Sequence, residues 1–361
     1  MQRTGTSRYY REDCSQGDAL MLTTRQRILL KLIVEGYVST AAPVASDTLS
    51  RQYPGGVSPA TIRKEMADLE ESGFLDRPHT SSGCVPLDSA YRFYVESLSH
   101  LQETGVSKRQ RVSVEERLME VEADVEEWTS RSSAILANLA SNMALVTFPK
   151  EIDTRIRHVQ LVRMQELLAM LIVVLGPATL RRHLVRLDEP LGDDELESSA
   201  NRVKGLVVGL TPDEIESQSK GLTGLEEELV NAATLILEEE AQATYHGHYV
   251  DGLRNLLTQP EFSENDALRT LIEGLEDGSL IKAILDETPM GGMVRVIIGK
   301  ENRGDMLWPL SLVVSQYGVP GRVVGALGAV GPTRMEYSRT IAGVQLLSTL
   351  MSDMVEAGRV G

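Results

Sequence analysis

The stretch Val57-Ser58-Pro59-Ala60-Thr61-Ile62-Arg63-Lys64-Glu65-Met66-Ala67-Asp68-Leu69-Glu70 predicts an amphipathic helix. Ser58 is a favourable N-cap, and Pro59 falls at the first helical position, where its missing N–H is not needed. The apolar side chains recur at helical spacing and anchor one face: Ile62, Met66 and Leu69. The other side carries small, hydroxyl and cationic side chains: Ala60, Thr61, Arg63, Lys64 and Ala67. Small residues allow close approach to a DNA groove, and the polar ends can reach bases and phosphates.

Two further helices are predicted before this stretch. Thr23 caps an apolar run that ends near Gly36, and a short helix follows from 45 to 53. The turn Pro54-Gly55-Gly56 stops the short helix and leads into the Ser58 helix. This order is that of a helix-turn-helix.

A small hairpin is predicted after the third helix. Ser72-Gly73 ends the helix, the segment 74–77 has the pattern of a strand, 80–83 that of a hairpin tip, and Val85-Pro86 that of the returning strand. Three helices followed by a hairpin are typical of the winged helix-turn-helix fold. The residues predicted to contact DNA are Ser58, Thr61, Arg63, Lys64, His79, Thr80 and Ser81. For Arg63 and Lys64 in isolation, the alternative is an ordinary solvated helix surface.

The segment from Leu22 to Tyr94 resembles the N-terminal domain of the heat-inducible transcription repressor HrcA family. The most specific matches are Ser58-Pro59-Ala60-Thr61-Ile62-Arg63, Met66-Ala67-Asp68-Leu69-Glu70 and Pro78-His79-Thr80-Ser81. The resemblance continues through Gly252-Leu253-Arg254-Asn255-Leu256 and Gly331-Pro332-Thr333-Arg334-Met335-Glu336-Tyr337. It covers the chain apart from about the first twenty residues.

The resemblance implies an α+β multidomain fold, in which a winged helix-turn-helix precedes a GAF-like α+β domain with a helical inserted dimerising domain. It also implies a homodimer that binds an inverted-repeat operator of chaperone operons, is controlled by a GroEL-type chaperonin and needs no cofactor. Four residues depart from the family pattern. Lys64 stands where Asn is usual, and Cys84, Leu87 and Ser89 stand where Arg, Thr and Lys are common.

The length of the chain predicts more than one domain, and the uneven distribution of its charge still allows a partner of high negative charge. A chain of 361 residues exceeds one typical core. Its net charge of −16 would argue against nucleic acid, but residues 23–95 hold eight Lys/Arg and eight Asp/Glu. Because residues 1–22 also balance, the acidic excess belongs to residues 96–361. A neutral domain with clustered cations can bind a polyanion, with strong dependence on salt.

The remaining pattern gives the expected domain boundaries. Helical spacing predicts a long helix from Val114 to Asn142, and three strands are predicted at 157–164, 168–174 and 179–187. Helices follow up to about Asp286, and then come three more strands and a final helix. We expect one α+β domain with an insertion. The expected divisions are 1–22 (disordered extension), 23–95 (winged helix), 96–113 (linker), 114–190 and 289–361 (the two parts of the GAF-like domain) and 191–288 (insertion).

Other functions have weaker support. Gly325, Gly328 and Gly331 have the wrong spacing for a dinucleotide loop, so we expect a tight structural turn between a strand and a helix. No metal site or enzymatic motif is expected. A small-molecule-gated regulator that senses a ligand in the GAF-like domain is the alternative. Two cysteines without a disulfide framework and no long apolar run predict a cytoplasmic protein without membrane contact.

Overall fold

The computed structural model describes residues 22–79, 83–98, 106–120, 124–152, 155–175, 180–219, 222, 224–242, 247–262 and 265–359. The chain divides into two compact units. The first unit runs to Thr147 and resumes at His248–Tyr317 and Ala326–Ser352. The second unit comprises Phe148–Gly247, Gly318–Gly325 and the chain from Asp353. We call residues 22–98 the head and the rest of the first unit the body. The predicted extension at 1–22 lies outside the described residues, except for Leu22.

The head contains the predicted helices and strands. They are α1 (Thr24–Thr40), α2 (Ser46–Gln52), α3 (Pro59–Glu71), β1 (Leu75–Asp76), β2 (Val85–Pro86) and α4 (Asp88–Leu98). Thr23 caps α1 reciprocally with Gln26, as a capping box does. The predicted end near Gly36 is wrong, because α1 continues until Ala41 takes a left-handed conformation with φ of 52°.

The hairpin is attached to the helices by the extended segment that precedes α2. β1 pairs with β2 in antiparallel fashion, with Leu75 opposite Pro86. A bridge between Val44 and Cys84 attaches the segment before α2. Gly83 lies so close to the backbone of Val44 that a Cβ at this position would overlap the Val44 carbonyl oxygen. The expected hairpin tip, 80–82, lies outside the described residues.

The chain enters the body through α5 (Lys108–Met119), α6 (Val125–Ala140) and β3 (Met143–Thr147). The prediction of one long helix from Val114 to Asn142 is wrong. Asp124 accepts hydrogen bonds from the backbone N–H groups of Glu126 and Glu127 and so begins a new helix. The expected linker at 96–113 is also too long, because α4 reaches Leu98 and α5 starts at Lys108.

The second unit has a sheet of its own. Its elements are β4 (Lys150–Glu151), β5 (His158–Gln165), β6 (Leu168–Val174), β7 (Leu180–Arg186), α7 (Asp193–Val207), α8 (Pro212–Gln218) and α9 (Leu225–Gln242). The three predicted strands form an antiparallel sheet in the order β5-β6-β7. The expectation that these strands join the C-terminal strands in one sheet is therefore wrong. Strands that follow one another closely along the chain pair readily with each other. Residues 148–247 form the compact segment here, whereas the expected insertion was 191–288.

The body is completed by β8 (His248–Asp251), α10 (Leu253–Leu257), α11 (Asn265–Glu276), α12 (Ser279–Asp286), β9 (Arg295–Ile298), β10 (Leu310–Val319), β11 (Val323–Pro332) and α13 (Tyr337–Glu356). Its strands lie in the order β8-β3-β11-β10-β9. The sequence pattern does not predict β3 and β8. β3 is buried along its whole length, so it lacks the alternation by which a half-exposed strand is recognised.

Side chains fill the space beside the body sheet. A buried cluster joins strand residues to residues of α10–α12, including Leu145, Leu256, Ile284 and Leu312. A small-molecule site within this packing would require its rearrangement. Among the described residues, every helix is too short or too polar to span a bilayer.

The glycines Gly325, Gly328 and Gly331 lie within β11, so the prediction of a tight turn is wrong. A Cβ at Gly328 would stand 2.7 Å from Cγ1 of Val314, and one at Gly331 would stand 2.5 Å from Oδ1 of Asn142. These glycines allow close approach by neighbouring side chains. They form no loop between a strand and a helix that could hold a phosphate.

Candidate nucleic-acid interface

The helix α3 presents one continuous exposed side. Its inner face is buried through Ile62, Met66 and Leu69, as predicted. The outer positions are exposed: Ala60, Arg63, Lys64 and Ala67. The N-cap Ser58 accepts a hydrogen bond at 3.2 Å from the backbone N–H of Thr61. Capping satisfies a helical N–H group that has no partner within the helix.

Thr61 is less available than the sequence suggested. It is half-buried, and its hydroxyl lies 2.9 Å from the hydroxyl of Ser58. The two hydroxyl groups therefore satisfy each other at the start of the helix. A contact from Thr61 to a base would have to compete with this hydrogen bond.

Arg63 is held by the preceding helix. Its Nε donates to Oγ of Ser46 at 3.2 Å, and its terminal nitrogen lies 3.4 Å from a carboxylate oxygen of Asp47. Both charged side chains are more than half exposed, so water and salt weaken the ion pair. The guanidinium can leave Asp47 for a phosphate at little cost.

Lys64 makes no ion pair with another described residue, and the same holds for Arg51 at the end of α2. Both side chains are exposed. The sequence alone does not single out Arg51, because a cation in the last turn of a helix is also explained by the helix dipole. Its place directly before the turn that leads to α3 is the signal that could have identified it.

The hairpin is described only in part. His79 is exposed at its start, while Thr80 and Ser81 lie outside the described residues. Cys84 is fully buried, and a terminal nitrogen of Arg77 lies 3.7 Å from its sulfur. Burial raises the pKa of the thiol, although the nearby Arg77 opposes this shift. Cys84 thus has the character of a core residue.

The two remaining departures differ in their contacts. Leu87 is exposed, whereas Ser89 donates a hydrogen bond of 2.6 Å to the carbonyl of Gly73 at the end of α3. Ser89 therefore fixes the end of the helix.

Charge separates the head from the second unit. The head is balanced between residues 23 and 95, whereas residues 148–247 carry ten Lys/Arg against eighteen Asp/Glu. Like-charge repulsion keeps a polyanion away from the acidic segment. Within the described residues, no cluster of three or more His, Cys, Asp or Glu is arranged to hold a metal ion.

The chain combines an α+β fold with a head whose helix α3 exposes Arg63 and Lys64, and the family comparison gives its class as a transcription regulator. The HrcA protein C terminal domain family model matches residues 126–341. The chain is similar to the heat-inducible transcription repressor HrcA of Dehalococcoides mccartyi (strain ATCC BAA-2100 / JCM 16839 / KCTC 5957 / BAV1), with 34% identity over 93% of this chain and 96% of the relative. It is also 34% identical to the repressor of the same name from Roseiflexus sp. (strain RS-1), over 92% of this chain and 94% of the relative.

The chain therefore belongs to the heat-inducible transcription repressor HrcA family. Transcription repression is the activity that this membership assigns, and it implies a regulator rather than an enzyme. A crystal structure described only as a hypothetical protein has a similar fold, with a TM-score of 0.57 and 22% identity. That similarity covers 93% of this chain and 98% of the solved chain.

Proposed function

We propose that the head is a winged helix-turn-helix that binds the operator of chaperone genes and that α3 enters the major groove. The exposed row Ala60, Arg63, Lys64 and Ala67 carries this proposal. Small residues permit close approach, while the guanidinium and ammonium groups are long enough to reach base edges or phosphates. The other predicted contacts are Ser58, Thr61, His79, Thr80 and Ser81, of which Thr80 and Ser81 lie outside the described residues.

We further propose that the active form is a homodimer bound to an inverted repeat. The support is an apolar sheet face in the second unit. Val162, Met170 and Leu184 lie side by side across the three strands, and Leu184 is 59% exposed. Further apolar side chains extend this outer sheet face: Leu168, Ile172, Val174 and Leu180. Arg182 and Arg186 lie on the same face, opposite Ile172 and Leu168. Two such faces related by a two-fold axis would bury each other, and a two-fold protein matches a two-fold operator.

The same face supports regulation by a GroEL-type chaperonin, which the family resemblance implies. A monomer with this face uncovered is prone to aggregation. Assistance by a chaperonin would then set the amount of active dimer, and heat would lower it by filling the chaperonin with unfolded clients. Purified repressor should lose operator binding faster without chaperonin than with it. Equal rates of loss would contradict this regulation.

Footprinting on the promoters of the organism's own chaperone genes, with salt varied, tests the DNA-binding proposal. Lys64→Ala should cost about 1–3 kcal/mol of operator binding if Lys64 reads a base, or reduce the salt slope by about 1 if it contacts phosphate. Lys204→Ala in α7 removes the same charge from an exposed site in the second unit and should leave binding unchanged. If the two variants behave alike, Lys64 does not contact the operator.

A further inference from the structure

A cavity of about 530 Å³ lies where the head meets the body. Sites for small molecules enclose roughly 300–1,000 Å³. The head contributes residues of α1 and α4, and the body contributes the end of α6 and the segment before and at the start of α13. The polar side chains on which the inference rests are Glu35, Tyr94, Asn142, Arg334 and Glu336.

Contacts between α4 and the body hold together the two parts of the chain that line the cavity. Nε of Arg92 in α4 donates to a carboxylate oxygen of Glu301 at 2.8 Å, and a terminal nitrogen donates to the carbonyl of Val296 at 2.8 Å. The carboxylate of Asp88 accepts from the backbone N–H of Lys300 at 2.9 Å. The cavity is therefore formed before any ligand enters, which lowers the cost of binding.

Two carboxylates and one buried amide face a ligand as hydrogen-bond acceptors. Glu35 accepts from the hydroxyl of Tyr94 and lies 3.8 Å from the ammonium group of Lys31, in an exposed pair that solvent weakens. Glu336 makes no ion pair with another described residue. Asn142 is 4% exposed and donates through its amide nitrogen to the carbonyl of Ala140 at 2.9 Å. Its amide oxygen receives no hydrogen bond from the described part of the chain. This oxygen is not one of the fully buried polar atoms that lack a partner, and because Asn142 lines the cavity a ligand there can donate a hydrogen bond to it.

The backbone adds negative potential. Val38 and Ser39 belong to the last turn of α1, and Ala140 and Ser141 form the end of α6. The carbonyls at helix C-termini carry partial negative charge, and neither of these helices has a basic residue in its last turn. The start of α13 has the opposite polarity, but the carboxylate of Glu336 lies directly before it.

The one lining cation, Arg334, is already neutralised, as far as the described residues show. Its guanidinium pairs with Glu261 through two nitrogens and donates to the side chain of Gln259 at 2.6 Å. It thus adds no uncompensated positive charge to the cavity. The balance of the lining is negative and rich in acceptors.

We propose that this cavity binds a small organic cation that carries ammonium or guanidinium groups. Such a ligand donates hydrogen bonds to the carboxylates of Glu35 and Glu336 and to the amide oxygen of Asn142. Because it contacts both head and body, its binding strengthens their association. The proposal concerns a ligand and does not depend on DNA binding.

Isothermal titration of the full chain with spermidine tests the proposal. The titration is run at about 0.15 M salt, where charges farther apart than about 8 Å are largely screened. We expect saturable binding of one equivalent, and no binding of the uncharged 1,8-octanediol. The variant E35Q/E336Q should bind spermidine at least about tenfold more weakly, because charge-assisted hydrogen bonds are lost. The control E238Q/E239Q removes the same charge from α9 and should bind like the original chain.

A second variant tests the cavity without a change of charge. Ser39→Trp places a bulky ring in the cavity and should abolish binding, while thermal melting verifies that the chain is folded. The proposal is overturned if spermidine does not bind, if E35Q/E336Q or Ser39→Trp binds as well as the original chain, or if both charge variants lose affinity equally. Equal loss would indicate that spermidine is attracted nonspecifically by the negative charge of the whole chain.

Discussion

The head and the second unit each bury an apolar core but expose different chemistry. In the head, the exposed side of α3 and the end of α2 carry cations: Arg51, Arg63 and Lys64. In the second unit, the three-stranded sheet exposes apolar side chains, with Leu180 and Leu184 about half exposed or more. One surface suits a polyanion and the other suits an apolar partner.

This difference shows why the net charge of −16 is a poor guide to function. The acidic residues are concentrated outside the head, so the charge of the whole chain does not describe the surface that meets DNA. Although the second unit is acidic as a whole, the strands of its sheet carry several cations: Arg163, Arg181, Arg182 and Arg186. Function follows from each surface separately.

The largest expected effect comes from the outer sheet face. The double substitution Met170→Glu and Leu184→Glu should raise the dimer dissociation constant by about 100-fold or more, because charged groups would replace the central apolar side chains of the buried face. Sedimentation equilibrium measures the constant, and operator binding should weaken with it. Leu235→Glu is the matched control, since Leu235 is 51% exposed on α9 of the same unit. A dimer that survives the double substitution would assign self-association to another surface.

A pair of glycine substitutions should act in opposite directions in the two regions. Gly83→Ala should destabilise the head by roughly 1–3 kcal/mol, since its Cβ meets the backbone of Val44. Gly205→Ala lies in α7, where a Cβ meets nothing within 4 Å. It should stabilise the second unit by about 0.5–1 kcal/mol, because alanine loses less conformational freedom in a helix. Urea unfolding followed by circular dichroism measures both, and changes of the same sign would contradict the contrast.

The smallest expected effect concerns Asp47. Asp47→Asn releases Arg63 and removes a negative charge near the proposed DNA surface. Operator binding should tighten by about two- to fivefold, as is typical of an exposed ion pair. The salt slope should steepen by about 0.9 if Arg63 then contacts one phosphate. Asp213→Asn on α8 is the control, and an equal gain in both variants would show that only overall charge changed.

The local elements of the head could be predicted, because they rest on neighbouring residues. Ser58 caps α3 and Pro59 starts it, as the sequence indicates. The strands at 158–186 were also predicted nearly residue for residue. Their partners were not, because a pattern of alternation identifies a strand but not the strand beside which it lies. The choice between one sheet and two depends on contacts between distant segments.

The candidate site divides in the same way. The sequence selected Arg63 and Lys64 correctly as exposed side chains, since helical spacing places them opposite the apolar face. It did not show that Asp47 holds Arg63 or that Cys84 is buried beside Arg77. These facts depend on how α2 and the hairpin pack against α3. The roles of these residues toward DNA remain predictions.

The amino-acid sequence alone determined the helix caps, the amphipathic face of α3, the strands of the second unit and the uneven charge, because each depends on residues close together in the chain. The tertiary structure alone decided that three glycines lie inside β11, that β3 pairs with β8, and that head and body enclose a polar cavity. Each of these features depends on contacts between segments that lie far apart in the chain, in some cases by hundreds of residues. Their arrangement follows from close packing of the whole core and not from local conformational preference.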